Sequence, residues 1–129
     1  MYHSFFIIIQ SIGPDDSSSL WAQQWLKGSK TIKAYIKNAK LYIDNYAMIE
    51  LESGEKNVVG YIVHFEEDFE KKLKRADQIE GYPEYYSRKI ITTYEEETHL
   101  PHQCFVYYTE RFDKGNWIES GDYLKRNHK

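Results

Sequence analysis

One cysteine, three prolines and no long apolar run mark what this chain of 129 residues has little of. A lone Cys104 excludes an internal disulfide and a zinc site of the multi-cysteine type, and it suits a reducing compartment. The apolar run at residues 5–9 is far short of the roughly 18 residues that a membrane span needs. The start has neither a basic stretch nor a small-residue cleavage site, so no secretory signal is expected. The expected setting is therefore cytoplasmic, with no membrane partner. A basic excess is also missing: the net charge is -3 and the pI about 5.9. Nucleic acid is accordingly not an expected partner. No Walker loop and no dinucleotide fingerprint occurs. No Gly-x-Ser-x-Gly frames Ser17, Ser18 or Ser19, so capping accounts for these serines better than nucleophilic chemistry.

What the chain has in plenty is aromatic residues, at 16% with twelve tyrosines. These side chains favour strands. The length fits a single domain over residues 1–129 with a core of its own. Residues 5–9 read as a buried strand, because polar alternation is missing. A loop rich in turn formers follows. Residues 20–27 then carry Trp21 and Trp25 four apart, on one face of a short helix that Gly28 can end. Ile32, Ala34 and Ile36, then Ala39, Leu41 and Ile43, alternate as strands do, with a turn at Asp44 and Asn45. Residues 58–65 form another strand, placing Val59, Tyr61, Val63 and Phe65 on one face.

The clearest helix spans 66–80, where Phe69, Leu73, Ala76 and Ile79 recur at helical spacing. Its acids come first and its bases later, as the helix dipole prefers. Glu67 with Lys71, Asp68 with Lys72, and Glu70 with Lys74 are spaced as i,i+4 pairs on a solvated face. Gly81 stops this helix and Pro83 prevents its resumption. Residues 85–94 and 104–108 read as strands, separated by the acidic turn at Glu95, Glu96 and Glu97. The order is many strands with two helices, which implies a mixed sheet or small barrel.

Few side chains offer chemistry. His99 and His102 lack a third metal ligand nearby and read as surface histidines. His64 reads as a strand histidine on the wet side. Cys104 reads as an inert buried thiol. Glu80 stands out on physical grounds. It ends the helix, where a carboxylate meets the negative end of the dipole. That cost falls on the charged form, so its pKa should be pushed up, and Ile79 and Tyr82 can bury it further. A carboxylate with a raised pKa is what a general base near neutral pH requires.

The run Asp77-Gln78-Ile79-Glu80-Gly81-Tyr82-Pro83-Glu84-Tyr85-Tyr86-Ser87-Arg88 resembles the signature of the gamma-glutamylcyclotransferase family, the AIG2-like proteins. Three further segments are similar to family segments in the same order: Leu26-Lys27-Gly28 with Ala39-Lys40-Leu41-Tyr42, then Val58-Val59-Gly60-Tyr61-Ile62-Val63, and finally Trp117-Ile118-Glu119-Ser120-Gly121-Asp122-Tyr123. The resemblance implies an α+β fold, a small mixed sheet closing into a β-barrel-like core with two main helices. It implies a reaction in which the α-amine of a γ-glutamyl group attacks its own γ-carbonyl, giving 5-oxoproline and a free amine. The implied partner is a small molecule, a γ-glutamyl amine or peptide, with no cofactor and no metal. Glu80 matches the family's proton-transferring glutamate. Tyr86 and Arg88 match residues that shape the pocket or support that glutamate.

The family's Tyr-Gly-[Ser/Thr]-Leu loop, whose N–H groups grip the glutamyl carboxylate, falls on Ile9, Gln10, Ser11 and Ile12. Only Ser11 matches well. Gln10 resists the backbone angles that glycine permits. A register through Gly13 puts Pro14 where a donor is wanted, and Asp15 and Asp16 would repel a carboxylate. Two readings follow: an active cyclotransferase, or an inactive relative that binds a small molecule or a protein through the same pocket.

Overall fold

The computed structural model describes residues 3–8, 25–43, 47–52, 54, 56–84, 86–108, 117–118 and 121. Its elements run β1 (Ser4–Ile7), β2 (Ser29–Ile36), β3 (Ala39–Ile43), β4 (Ala47–Leu51), β5 (Val58–Phe65), α1 (Phe69–Glu80), β6 (Ser87–Glu95), β7 (Pro101–Tyr108) and β8 (Trp117–Ile118). Five strands close a barrel in the order β1-β5-β2-β6-β7, and β4-β3-β8 form a small second sheet. The barrel closes where β7 runs parallel to β1, with Phe5 opposite Phe105. Closure leaves no long open edge on this sheet.

Side-chain alternation divides the barrel strands between two cores. Phe6, Ala34, Ile36, Val58, Ile62, Cys104 and Val106 form one cluster with Ala39, Leu41 and Ile49 of the small sheet. The opposite faces supply Phe5, Val63, Phe65 and Tyr107, which pack with Trp25 and with Phe69 and Ala76 of α1. Both faces of β1 are therefore buried, which is why Phe5 and Phe6 follow one another without polar alternation. Close approach of β1 to β5 depends on Gly60. A Cβ there would lie 2.4 Å from the Ile7 carbonyl oxygen and 2.7 Å from the Phe6 ring.

Two expectations about helices change. The second helix starts at Phe69 rather than Glu66, because Asp68 takes a left-handed conformation (φ 58°) that breaks the helical path before it. Glu66 lies outside the helix and pairs with Lys30 at 3.0 Å on the surface. Lys72, spaced to meet Asp68, reaches across to the Trp25 carbonyl at 2.7 Å. The Trp25 indole N–H donates in return to the Lys72 carbonyl at 2.9 Å. α1 is the one complete helix among the described residues. Of the helix expected over 20–27, Trp25 and Leu26 are helical, and residues 20–24 lie outside the described residues. No helix among the described residues is long and apolar enough to cross a membrane.

Candidate active site at the end of the helix

α1 ends in a compact cap that fixes everything downstream. Gly81 takes φ 70° and ψ 35°, a left-handed conformation that costs glycine little. Its N–H bonds the Gln78 carbonyl at 3.3 Å, and the Tyr82 N–H bonds the Asp77 carbonyl at 2.9 Å. These two reversed bonds satisfy carbonyls that the helix would otherwise leave open. They also turn the chain back over the last helical turn. The Tyr82–Pro83 peptide within this turn is cis.

The cap sets two carboxylates three residues apart, on neighbouring positions of one helical face. The Asp77 carboxylate is fully engaged. Its Oδ2 accepts a hydrogen bond from Arg88 Nη1, and its Oδ1 accepts one from the Tyr107 hydroxyl at 2.6 Å. Arg88 and Tyr107 face each other across the β6–β7 pair, so adjacent strands deliver both donors to one carboxyl group. The ion pair is well covered, with side-chain exposures of 20% for Arg88 and 23% for Asp77. The Arg88 guanidinium lies over the Tyr82 ring at 4.3 Å and near the Phe105 ring at 5.5 Å, in the range of cation–π attraction. Burial works against the Arg88 charge, and the bond to Asp77 outweighs it. Burial, followed by the bond to Asp77, pushes the Tyr107 pKa up, so this hydroxyl keeps its proton and remains a donor.

Glu80 stands in contrast. Among the described residues its carboxylate has no hydrogen-bond or ion-pair partner. Burial raises its pKa from the ordinary 4.5 to about 7. The direction is the one expected from the sequence, with desolvation by burial as its cause. A half-buried carboxylate that titrates near neutrality, without a fixed partner, can take up and return a proton.

The other sequence candidates are distributed as follows. Arg88 joins the cluster, through Asp77 rather than through Glu80. Tyr86 packs at the border of the α1 core. Ile9, Gln10, Ser11 and Ile12 lie outside the described residues. The parallel pairing of Phe5 with Phe105 sets Ile7 level with Tyr107. β1 thus delivers the chain at the barrel end that carries Asp77, Arg88 and Tyr107. His64 lies half-buried with its Nδ1 2.9 Å from the Ser4 hydroxyl. His102 Nε2 lies 2.6 Å from Glu95, and His99 Nδ1 lies 2.8 Å from the Tyr35 hydroxyl. No group of three or more His, Cys, Asp or Glu side chains that could hold a metal forms among the described residues. Cys104 is buried and its pKa is pushed up to about 11 by that burial, as an inert thiol requires. The sequence reading assigned no role to Asp77 or Tyr107, and gave Tyr82 only a part in burying Glu80. Asp77 was legible only as an acid three residues before Glu80, and the strand register that brings Tyr107 to it has no local signal.

A small closed barrel with, among the described residues, one complete helix and a half-buried carboxylate without a partner at its end defines an α+β barrel class. The chain belongs to the gamma-glutamyl cyclotransferase, AIG2-like family, whose profile matches residues 18–125. It is 32% identical over 107 residues to a Methanocaldococcus jannaschii protein named "Putative gamma-glutamylcyclotransferase MJ1514", covering 75% of this chain and 87% of that one. Among solved structures it is similar to the Escherichia coli protein ytfP, with a TM-score of 0.64 and 20% identity over 95% of this chain and 97% of that one. It is also similar to a Mus musculus aig2-like protein, with a TM-score of 0.63 and 18% identity over 87% of this chain and 80% of that one. At these identities the structural likeness is one of fold.

Proposed function

We propose that the chain is a gamma-glutamyl cyclotransferase. The observation that carries this reading is Glu80, half-buried, without a partner among the described residues, and poised to titrate at about 7. Family membership supports it, and the M. jannaschii relative is named for the activity. The substrate is a small γ-glutamyl amine or peptide, and the reaction needs neither metal nor cofactor. The setting is cytoplasmic, and one domain over residues 1–129 carries the whole site.

The chemistry balances within one molecule of substrate. The α-nitrogen attacks the γ-carbonyl carbon and a ring C–N bond forms. Glu80 accepts the proton that the α-ammonium must lose. The bond from the γ-carbon to the leaving nitrogen then breaks as Glu80 returns that proton to it, and the second proton shed by the ring nitrogen goes through solvent to the released amine, which leaves as an ammonium ion. Products are 5-oxoproline and a free amine, and Glu80 ends as it began. Ser11, with the backbone of Ile9, Gln10 and Ile12, holds the glutamyl carboxylate, while Tyr86 and Arg88 shape the pocket wall.

A second reading rests on Ile9 and Gln10, which stand where the family pattern has tyrosine and glycine. In it the chain binds a small molecule or a protein partner without turnover. One assay separates the two: release of 5-oxoproline from a panel of γ-glutamyl peptides and amines, read by mass spectrometry, with Glu80→Gln alongside. Turnover that falls by about a hundredfold or more in the variant is the expected result. Turnover unaffected by the variant removes Glu80 from the mechanism. A folded protein with no product from any panel member supports the binding reading.

A further inference from the structure

Arg88 carries a permanent charge on the flank of the turn that follows Glu80. Its guanidinium covers Tyr82, two residues beyond Glu80, and bonds Asp77, three residues before it. Side chains three apart on a helix are neighbours, with Cβ atoms about 5–6 Å apart. Glu80 therefore neighbours the carboxylate that holds this guanidinium. An Arg–carboxylate pair there would hold Glu80 ionised and occupied, which is useless for a base. Yet among the described residues Glu80 has no such partner, and Asp77 has two donors, one to each oxygen. Tyr107 closes off Oδ1 and fixes the plane of the carboxylate, so the remaining oxygen faces Arg88 from β6.

We propose that Asp77 is a positioning residue that holds the Arg88 guanidinium away from Glu80, leaving the base free to accept a substrate proton. The inference rests on the cyclotransferase reading for its purpose, though not for its geometry. The charged or titratable groups around this helix end are few. Among the described residues, on the helix there are Asp77 and Arg75, whose guanidinium bonds the Gln78 side-chain oxygen at 3.4 Å, in the turn Tyr82 and Glu84, leading into β6 Tyr86 and Arg88, and on β7 Tyr107. β1 and β5 contribute Phe5, Ile7, Val63 and Phe65 to the packing beneath α1, and none of these titrates. Arg75 is engaged with Gln78, whereas Arg88 comes from β6 onto Asp77, and Asp77 decides which carboxylate it meets.

The test is a 13C NMR titration of the Glu80 carboxyl in labelled full-length protein, with folding checked on the amide spectrum of each variant. Asp77→Asn releases Arg88 and should move the Glu80 midpoint down by roughly 1–2 pH units. Arg88→Gln leaves Asp77 as an unpaired anion and should move the midpoint up. The double variant should return it close to the parent value. A merely structural role predicts otherwise: loosened packing would wet Glu80 and lower its midpoint in both single variants and in the double. That pattern, or no movement at all, overturns the proposal. If Asp77→Asn fails to fold, the upward shift in Arg88→Gln still decides it. Parallel 5-oxoproline assays on the same panel of γ-glutamyl peptides and amines keep the two readings separable. Opposite NMR shifts without any turnover would retain the role of Asp77 and overturn the cyclotransferase assignment.

Discussion

Asp77 and Glu80 are two carboxylates on the last turn of one helix, and they are treated in opposite ways. Asp77 is bonded by Arg88 and by Tyr107. Glu80 has no partner among the described residues, and burial raises its pKa to about 7. The difference arises from the strands beneath the helix, not from the helix itself. Arg88 and Tyr107 pair across β6 and β7, and together they come up under Asp77. In the cyclotransferase reading, one carboxylate organises the wall and the other does chemistry.

The pH dependence of turnover should report Glu80. As a base it must be ionised, so kcat/KM should rise with pH through a single midpoint at about 7. A profile recorded over about pH 5.5 to 8 checks this. A flat profile over that range would show a glutamate near its ordinary 4.5, and would remove burial from the account of the base.

Stability should move the other way. The folded pKa of Glu80 lies above its unfolded value, so the folded protein binds this proton more tightly. Below about 4.5 the residue is protonated in both states and contributes no difference. As pH rises from 4.5 towards 7 the unfolded chain ionises first, and the fold loses stability. Glu80→Gln removes that loss. Urea denaturation at pH 8 should find the variant more stable by ~1–3 kcal/mol, with the gain vanishing below pH 4.5.

Tyr107→Phe deletes one hydrogen bond to a charged acceptor and little volume. It should cost about 1.5–3 kcal/mol by chemical denaturation. A cost near zero would mean that water replaces the hydroxyl at Asp77 without loss.

Gly60→Ala should be far more damaging than its size suggests. The added Cβ would meet the Ile7 carbonyl at 2.4 Å, and backbone cannot step aside within a closed barrel. A loss of about 3 kcal/mol or more is expected, read as a lowered denaturation midpoint. Gly81→Ala offers the milder comparison: an alanine forced to φ 70° should cost ~1–2 kcal/mol for the backbone angle.

Much of the fold was legible locally. The strand at β5 could be read from its run of apolar and aromatic residues, and α1 from the spacing of Phe69, Leu73, Ala76 and Ile79. The stop at Gly81 followed from its freedom to take φ 70°. The helix start was misread because nothing in Glu66, Glu67 and Asp68 announces that Asp68 adopts φ 58°. The ladder expected between Asp68 and Lys72 failed to anticipate the Trp25 carbonyl as an acceptor, since that bond spans 47 positions of sequence. Glu80 was visible because a helix end, a glycine and apolar neighbours all lie within a few residues of it. Asp77 was visible as an acid but not as the hub of a network, because both of its donors are remote in sequence.

The sequence by itself determined where strands and α1 lie in outline, where α1 ends and that a glutamate stands at that end. Those features depend on short-range sterics, periodicity and capping, which act over a few residues. Only the tertiary structure decided which carboxylate is paired and which is left alone. That choice depends on barrel closure and on the β6–β7 register, which bring Arg88 and Tyr107 to Asp77 across 11 and 30 positions of chain. Burial of Glu80 depends on the same packing. Charge and hydrogen bonding act through space, so the chemical character of the site is set by how the strands are stacked under the helix.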